Sequence, residues 1–381
     1  MYNTGISATT GDFEEIHKRR PKKEFQEVKF YLDGILNSAN EIASNIVPFS
    51  FEVFEKRYNN NFSNTNLISY YDEAIENFKS NAQIASATSY TSSLTAITKY
   101  LNSANPQSVI SINLHDITVK WLDNFERDYL KNGGAISSVG THLRPLRAIY
   151  NKALLDNNIS PEISPFGYGK FVIPSSTKVK KALDKEHLEK LINATPENYY
   201  QEKAKDFWFL SFYCTGMNIS DIIRIKGKDL NFELSYLEFY RNKSFKSTKS
   251  NLRKVTVVLN DQALDIINKY KVETIEPNKY IFDIISDSDS ATEIERKKGN
   301  FIRFINMHIK KLAKTVGITE DISVNWARHT FSSIALNVGT SAEFIKDALG
   351  HKDLKTTYNY LNGFDTEEKR KTLSKIYKLN D

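Results

Sequence analysis

The spacing of apolar residues divides the chain into stretches of different period. In FQEVKFYLDGILNSANEIA, within residues 22–58, apolar positions return every three or four residues, which predicts an amphipathic helix; the mixed stretch VPFSFEVFEKRY follows it. The polar, breaker-rich NNNFSNTN then reads as a linker closing a small N-terminal unit. From Leu67 to about Asn158 the period is helical throughout, in SYYDEAIENFK, SYTSSLTAITKYLNS, TVKWLDNFERDYLKNG and SVGTHLRPLRAIYNKALLDN. Four amphipathic helices with short turns, at Ala104 to Ser108 and Gly133 to Ser137 among them, predict a compact bundle.

A change of character follows in PEISPFGYGKFVIPSSTKVKKALDKEHLEKL, where prolines and the lysines Lys170, Lys178, Lys180 and Lys181 precede a helix opening near Asp184. This is a connector pattern, and its charge suits either a solvated linker or a strand of chain crossing a polyanion. Helices are predicted over Tyr199 to Tyr213 and through NISDIIRIKG. The alternating ELSYLEFYR and RKVTVVL predict two antiparallel strands, and the stretch from Glu293 onward, FIRFINMHIKKLAKTVG included, returns to the helical period. The fold class is therefore mainly α with a small antiparallel β-sheet.

Composition adds limits. A chain of 381 residues exceeds the usual size of one hydrophobic core, so two or three domains are expected. With 40% apolar and 26% charged residues the chain should fold and not remain disordered. The net charge of +6 is a mild tilt toward polyanions, but its distribution is more telling. Arg241, Lys243, Lys246, Lys249, Arg253 and Lys254 succeed one another with no acidic residue between them, whereas Asp283, Asp287 and Asp289 cluster elsewhere. The acidic cluster is expected to be a solvated loop and not a metal site. Cys214 stands alone, which excludes a disulfide framework and thiolate metal clusters; a buried small hydrophobe is its expected role. No apolar run has the length of a membrane span and the first twenty residues lack the apolar core of a signal peptide, so a cytoplasmic protein without membrane attachment is expected.

The densest chemistry lies in VNWARHTFSSIALNVGTSAEFIKDALGHKDLKTTYNYL, which brings Arg328, His329, His351, Tyr358 and Tyr360 into one stretch. An arginine, two histidines and tyrosines are groups suited to attack on a phosphodiester. No P-loop, no His-Glu-x-x-His and no clustered carboxylate set of a two-metal nuclease accompanies them.

This stretch resembles the second signature box of tyrosine recombinases, the phage integrase family: Arg-His-Thr-Phe at 328–331, Leu-Gly-His at 349–351, and a tyrosine nine residues beyond that histidine, Tyr360. CTGMNISDIIRIKGKDL is similar to the first box, and YRNKSFKSTKSNLRKVTVVL to the lysine-bearing hairpin; the overall pattern resembles integrases of Bacteroidetes-type mobile elements. The resemblance implies a helical core-binding (SAM-like) bundle at 67–165, a basic linker at 166–183, an α+β catalytic domain at 184–381 and an N-terminal arm-type DNA-binding region at 1–62. It implies a site-specific enzyme that cuts and rejoins DNA through a 3′-phosphotyrosine without cofactor or metal. Tyr360 would be the nucleophile, Arg328 and His351 the groups on the phosphate, and Lys249 the donor to the leaving oxygen, with Lys246 and then Lys243 as alternatives. Lys243, Lys246, Arg253, Lys180 and Lys181 would contact DNA.

The sequence departs from the family pattern twice: Asn218 stands at the first catalytic arginine and Asn325 at the first histidine. An amide supplies neither the charge nor the bidentate fork of a guanidinium. Arg224, on the same predicted helix as Asn218, is a candidate for the missing charge, Asp221 an orienting residue, and His329 either a packing or a hydrogen-bonding residue. Expected partners are double-stranded DNA, three further copies of the chain in a homotetramer on paired sites, and a DNA-bending accessory protein. Two readings stand beside active recombination: a recombinase-like DNA-binding protein with impaired catalysis, and a non-enzymatic helical regulator.

Overall fold

The computed structural model describes residues 8–19, 21–44, 46, 48–52, 54–55, 65–104, 112–175, 182–241, 254–351, 353, 354 and 357. They belong to two compact units, Met1–Ser176 and Thr177–Asp381.

In the first unit, α1 (Thr10–Ile16) and α2 (Lys23–Ser44) precede the bundle α3 (Leu67–Ser80), α4 (Ile84–Ala104), α5 (Val119–Lys131) and α6 (Ile136–Leu155). The four bundle helices are those the apolar period predicts; α1 was not anticipated. Asn66 and Thr118 start α3 and α5 by accepting from the amides of Ser69 and Trp121, which satisfies donors the helix cannot pair itself. Tyr71, Phe125, Leu143 and Tyr150 are fully buried between the helices, each apolar body contributing roughly 1.5–3 kcal/mol. Their hydroxyls stay paired: Tyr71 meets Ser93 Oγ at 2.7 Å, and Tyr150 donates to the Leu114 carbonyl.

The second unit is built on α8 (Tyr199–Tyr213), which follows α7 (Lys185–Asn193) and carries the fully buried Trp208. Against α8 pack α10 (Asp261–Tyr270), α11 (Ala291–Thr315) and α12 (Val324–Asn337). Trp208 Nε1 donates to the Ser323 carbonyl at 3.0 Å and fixes where α12 begins; Asn306 of α11 accepts the Val324 amide at 2.9 Å. Thr330 Oγ1 accepts the amide of Leu183, tying the entry of the unit to α12.

A three-stranded antiparallel sheet, β1 (Leu230–Asn231), β2 (Tyr236–Tyr240) and β3 (Lys254–Val258), lies beside the helices in that order. Tyr240 pairs with Lys254 at the end of the hairpin where the chain passes from β2 to β3, while Leu237, Phe239, Val255 and Val257 alternate inward. The two predicted strands are present, and a two-residue third joins them. α13 (Ala342–Ala348) packs on β3, and Arg241, just past β2, reaches the end of α13.

NISDIIRIKG is helical only over α9 (Ile219–Ile222). The predicted continuation fails because the backbone of Ile225, Gly227 and Lys228 bonds instead to Ile281, Lys279 and Pro277. In the acidic cluster, Asp287 is paired with Lys226 and Asp289 with Lys297.

Candidate active site

The site is assembled from three breaks in regular structure, each fixed by local chemistry. After α8 the chain turns through Thr215 and Gly216, both at positive φ (54° and 75°), a conformation that β-branched residues rarely adopt and glycine tolerates. Thr215 Oγ1 donates to the Ala348 carbonyl at 3.2 Å, holding the turn against the end of α13. There α13 closes in a Schellman arrangement: the Gly350 amide bonds to the Asp347 carbonyl and the His351 amide to the Lys346 carbonyl. Gly350 takes φ 62°, and His351 is thereby placed just past the helix end.

Arg328 joins these pieces from α12. It is 5% exposed, with Nη1 donating to the Gly216 carbonyl and Nη2 to the Leu349 carbonyl, both at 2.7 Å. The same Nη2 lies 3.0 Å from His351 Nε2. A Cβ on Gly216 would stand 3.1 Å from both Cα and Cγ of Arg328, so glycine there permits the arginine's close approach.

His351 is buried, and its Nδ1 lies 2.9 Å from Thr357 Oγ1. Burial, then the charges of Arg328 and Arg241, press its pKa down to about 4 against the opposing pull of Asp353. The ring is uncharged at neutral pH. Because a guanidinium only donates, Nε2 must be the acceptor from Arg328, which assigns the ring proton to Nδ1 and makes Thr357 Oγ1 its acceptor.

Sequence reasoning passed over Arg241 as one member of a basic run. It extends from the end of β2 and donates from Nη1 to the Gly350 carbonyl at 2.7 Å, next to His351. Thr357 was also missed; its sole sequence signal is its place six residues after the histidine.

Asn218 occupies the N-cap position of α9, half-buried, without a side-chain capping bond. Asn325 is exposed on the first turn of α12, three residues before Arg328. Asp221 is buried in α9 and His329 half-buried on α12. Arg224, the candidate for the missing charge, is engaged elsewhere: Nη1 donates to the Ser220 carbonyl at 2.6 Å and Nη2 reaches Glu295 at 3.3 Å. Tyr358, Tyr360, Lys243, Lys246, Lys249, Arg253, Lys180 and Lys181 lie outside the described residues. Cys214, fully buried at the end of α8, has its thiol pushed up to about 12 by burial. Among the described residues no helix is long and apolar enough to cross a membrane.

What the geometry offers is a buried guanidinium with donors in a fixed plane, beside a neutral imidazole whose Nε2 lone pair faces it. Such a pair can hold a tetrahedral oxyanion and exchange a proton with it.

Known proteins resemble this chain in both units. Residues 181–367 match the phage integrase family and residues 66–171 the phage integrase SAM-like domain. The tyrosine recombinase XerD of Staphylococcus saprophyticus is 26% identical over 160 residues, 39% of this chain and 46% of that protein. XerA of Pyrococcus furiosus is 25% identical over 182 residues, 47% of this chain and 56% of the relative. The chain thus spans about half the length of these relatives. XerC of Thermodesulfovibrio yellowstonii is 25% identical over 244 residues, 62% of this chain and 74% of its own. Among solved structures, the Tn1549 transposon integrase with transposon right end DNA superposes at a TM-score of 0.59 and 16% identity, covering 82% of this chain and 99% of that one. A lambda integrase dimer bound to a COC' core site gives 0.55 and 17%, over 79% and 98%. These two show a shared fold.

Proposed function

Because the chain carries the paired domains of the phage integrase, or tyrosine recombinase, family over residues 66–171 and 181–367, we propose that it is a site-specific DNA recombinase working through a 3′-phosphotyrosine intermediate. The observation that carries this reading is the buried contact between Arg328 and the neutral His351, at the family's spacing from Tyr360.

In this reading a DNA phosphate enters beside Arg328 and gives Nη2 an anionic partner in place of the imidazole, so that donor and acceptor are then both ionised. The phosphate's charge also raises the proton affinity of His351, so the ring accepts the phenolic proton as the Tyr360 oxygen bonds to phosphorus. The bond from phosphorus to the 5′ oxygen breaks, and Lys249 protonates the leaving oxygen; Lys246 and Lys243 are the alternatives for that donor. The phosphotyrosine keeps the energy of the broken bond. A 5′ hydroxyl of a second strand then reverses the step and releases the tyrosine, with no cofactor consumed.

Lys243, Lys246, Arg253, Lys180 and Lys181 bind DNA phosphates, with residues 1–62 as an arm-type DNA-binding region ahead of the core-binding bundle. Exchange between two duplexes takes four copies of the chain, assisted by a DNA-bending protein, in the cytoplasm. The pattern resembles integrases of Bacteroidetes-type mobile elements.

The test uses a nicked duplex, recovered from a random library by binding to the full-length protein, on which cleavage traps a covalent protein–DNA adduct. Wild type should form it and Tyr360→Phe should not. Wild type that binds the duplex without forming adduct would favour the catalytically impaired reading, to which Asn218 and Asn325 point.

A further inference from the structure

We propose that Arg241, at the end of β2, is a second phosphate-binding guanidinium of this site and supplies the charge that Asn218 lacks; this rests on the recombinase reading.

Arg241 is brought in from a separate element. It follows Tyr240, the last residue of β2, and its side chain crosses to the end of α13 to donate to the Gly350 carbonyl. The passage is built for it: a Cβ on residue 350 would stand 2.6 Å from Arg241 Cδ and 3.0 Å from Val255 Cγ2, so a side chain there would collide with the arginine's stem. Gly350 therefore has two reasons to be glycine, its positive φ and this approach.

The guanidinium is incompletely satisfied. Nη1 is bonded, but Nε is buried and finds no acceptor among the described residues. A buried donor left without a partner costs about 1–3 kcal/mol, and a cationic one more, unless something else fills the place. Among the described residues, the charges acting on His351 are two guanidiniums, Arg328 and Arg241, and one carboxylate, Asp353. Two guanidiniums converging on one imidazole, one of them with a buried donor to spare, suit an anion that offers several oxygens.

A phosphodiester under attack is such an anion. Its transition state spreads added negative charge over the equatorial oxygens, and two cations from different directions stabilise it better than one. Asn218, two residues past the Gly216 carbonyl that anchors Arg328, supplies no charge. The second positive group thus comes from the sheet and not from the turn after α8.

The experiment measures cleavage of the same nicked duplex by the full-length protein, with a phosphate or a methylphosphonate at the scissile position; the latter lacks one charged oxygen. With phosphate, Arg241→Ala should cleave roughly 10²–10³-fold more slowly than wild type while still binding the duplex. Arg241→Lys, which keeps charge without the fork, should fall between them. On methylphosphonate the Arg241→Ala defect should shrink at least about tenfold, because the oxygen it served is gone. An equal defect on both substrates would mean that Arg241 only positions Gly350 and His351, and wild-type cleavage by Arg241→Ala would mean that it does neither; each overturns the assignment. Wild-type protein that binds but does not cleave overturns the recombinase reading itself, and this assignment with it.

Discussion

Arg328 Nη2 stands 3.0 Å from His351 Nε2, so the site's buried cation leans on an uncharged ring. The contact fixes the tautomer of His351 and leaves the pair ready to exchange one hydrogen bond for an anion.

That neutrality has a signature in stability. His351 binds its proton less readily folded than unfolded, its pKa falling from the ordinary 6.5 to about 4. The stability it allows is fully present above pH 6.5 and is lost as pH falls from there toward 4, where the unfolded chain takes up a proton that the folded one refuses. Urea unfolding of the wild type between pH 7 and 4 should show that decline, and His351→Gln a shallower one. Identical slopes would remove His351 from the account.

Gly216→Ala places a methyl group 3.1 Å from Arg328 Cα and Cγ, at a φ of 75°. The left-handed backbone alone costs about 1–2 kcal/mol, and relief of the contact must displace Arg328. Stability should drop by at least that amount, with cleavage reduced further than DNA binding. A variant with wild-type cleavage would show that Arg328 tolerates a different seat.

Thr330→Val leaves the Leu183 amide, now 2.9 Å from Thr330 Oγ1, without its acceptor inside a buried region. A loss of about 1–3 kcal/mol is expected from denaturant unfolding. An unchanged unfolding midpoint would contradict the role given to this bond in holding Leu183 to α12.

Cys214 is fully buried and its thiol is held protonated at neutral pH. Iodoacetamide should therefore label it only in denaturant, at a rate that follows unfolding. Rapid labelling of native protein would place the residue at the surface.

Much of this architecture is legible in the sequence because it rests on strong periodicity. α8 covers Tyr199–Tyr213 as its spacing predicts, the four bundle helices are recognisable, and β2 and β3 alternate cleanly. Arg328 and His351 were found because 23 residues along the chain keep them in one motif. What escaped depends on contacts through space. Arg241 meets Gly350 across 109 residues, and no local pattern sets it apart from the lysines that follow it. The helix after Asn218 is cut short by backbone bonds to residues 277–281, which the sequence around Ile222 does not announce. β1, with two residues, is too short to carry a period.

In the proposed reaction it is Tyr360 that carries the DNA. Trapping wild-type protein on the nicked duplex, digesting both protein and DNA, and sequencing the nucleotide-bearing peptide by mass spectrometry tests it directly. One modified peptide is expected, with the nucleotide on Tyr360. Attachment at Tyr358, or at any other residue, would contradict it.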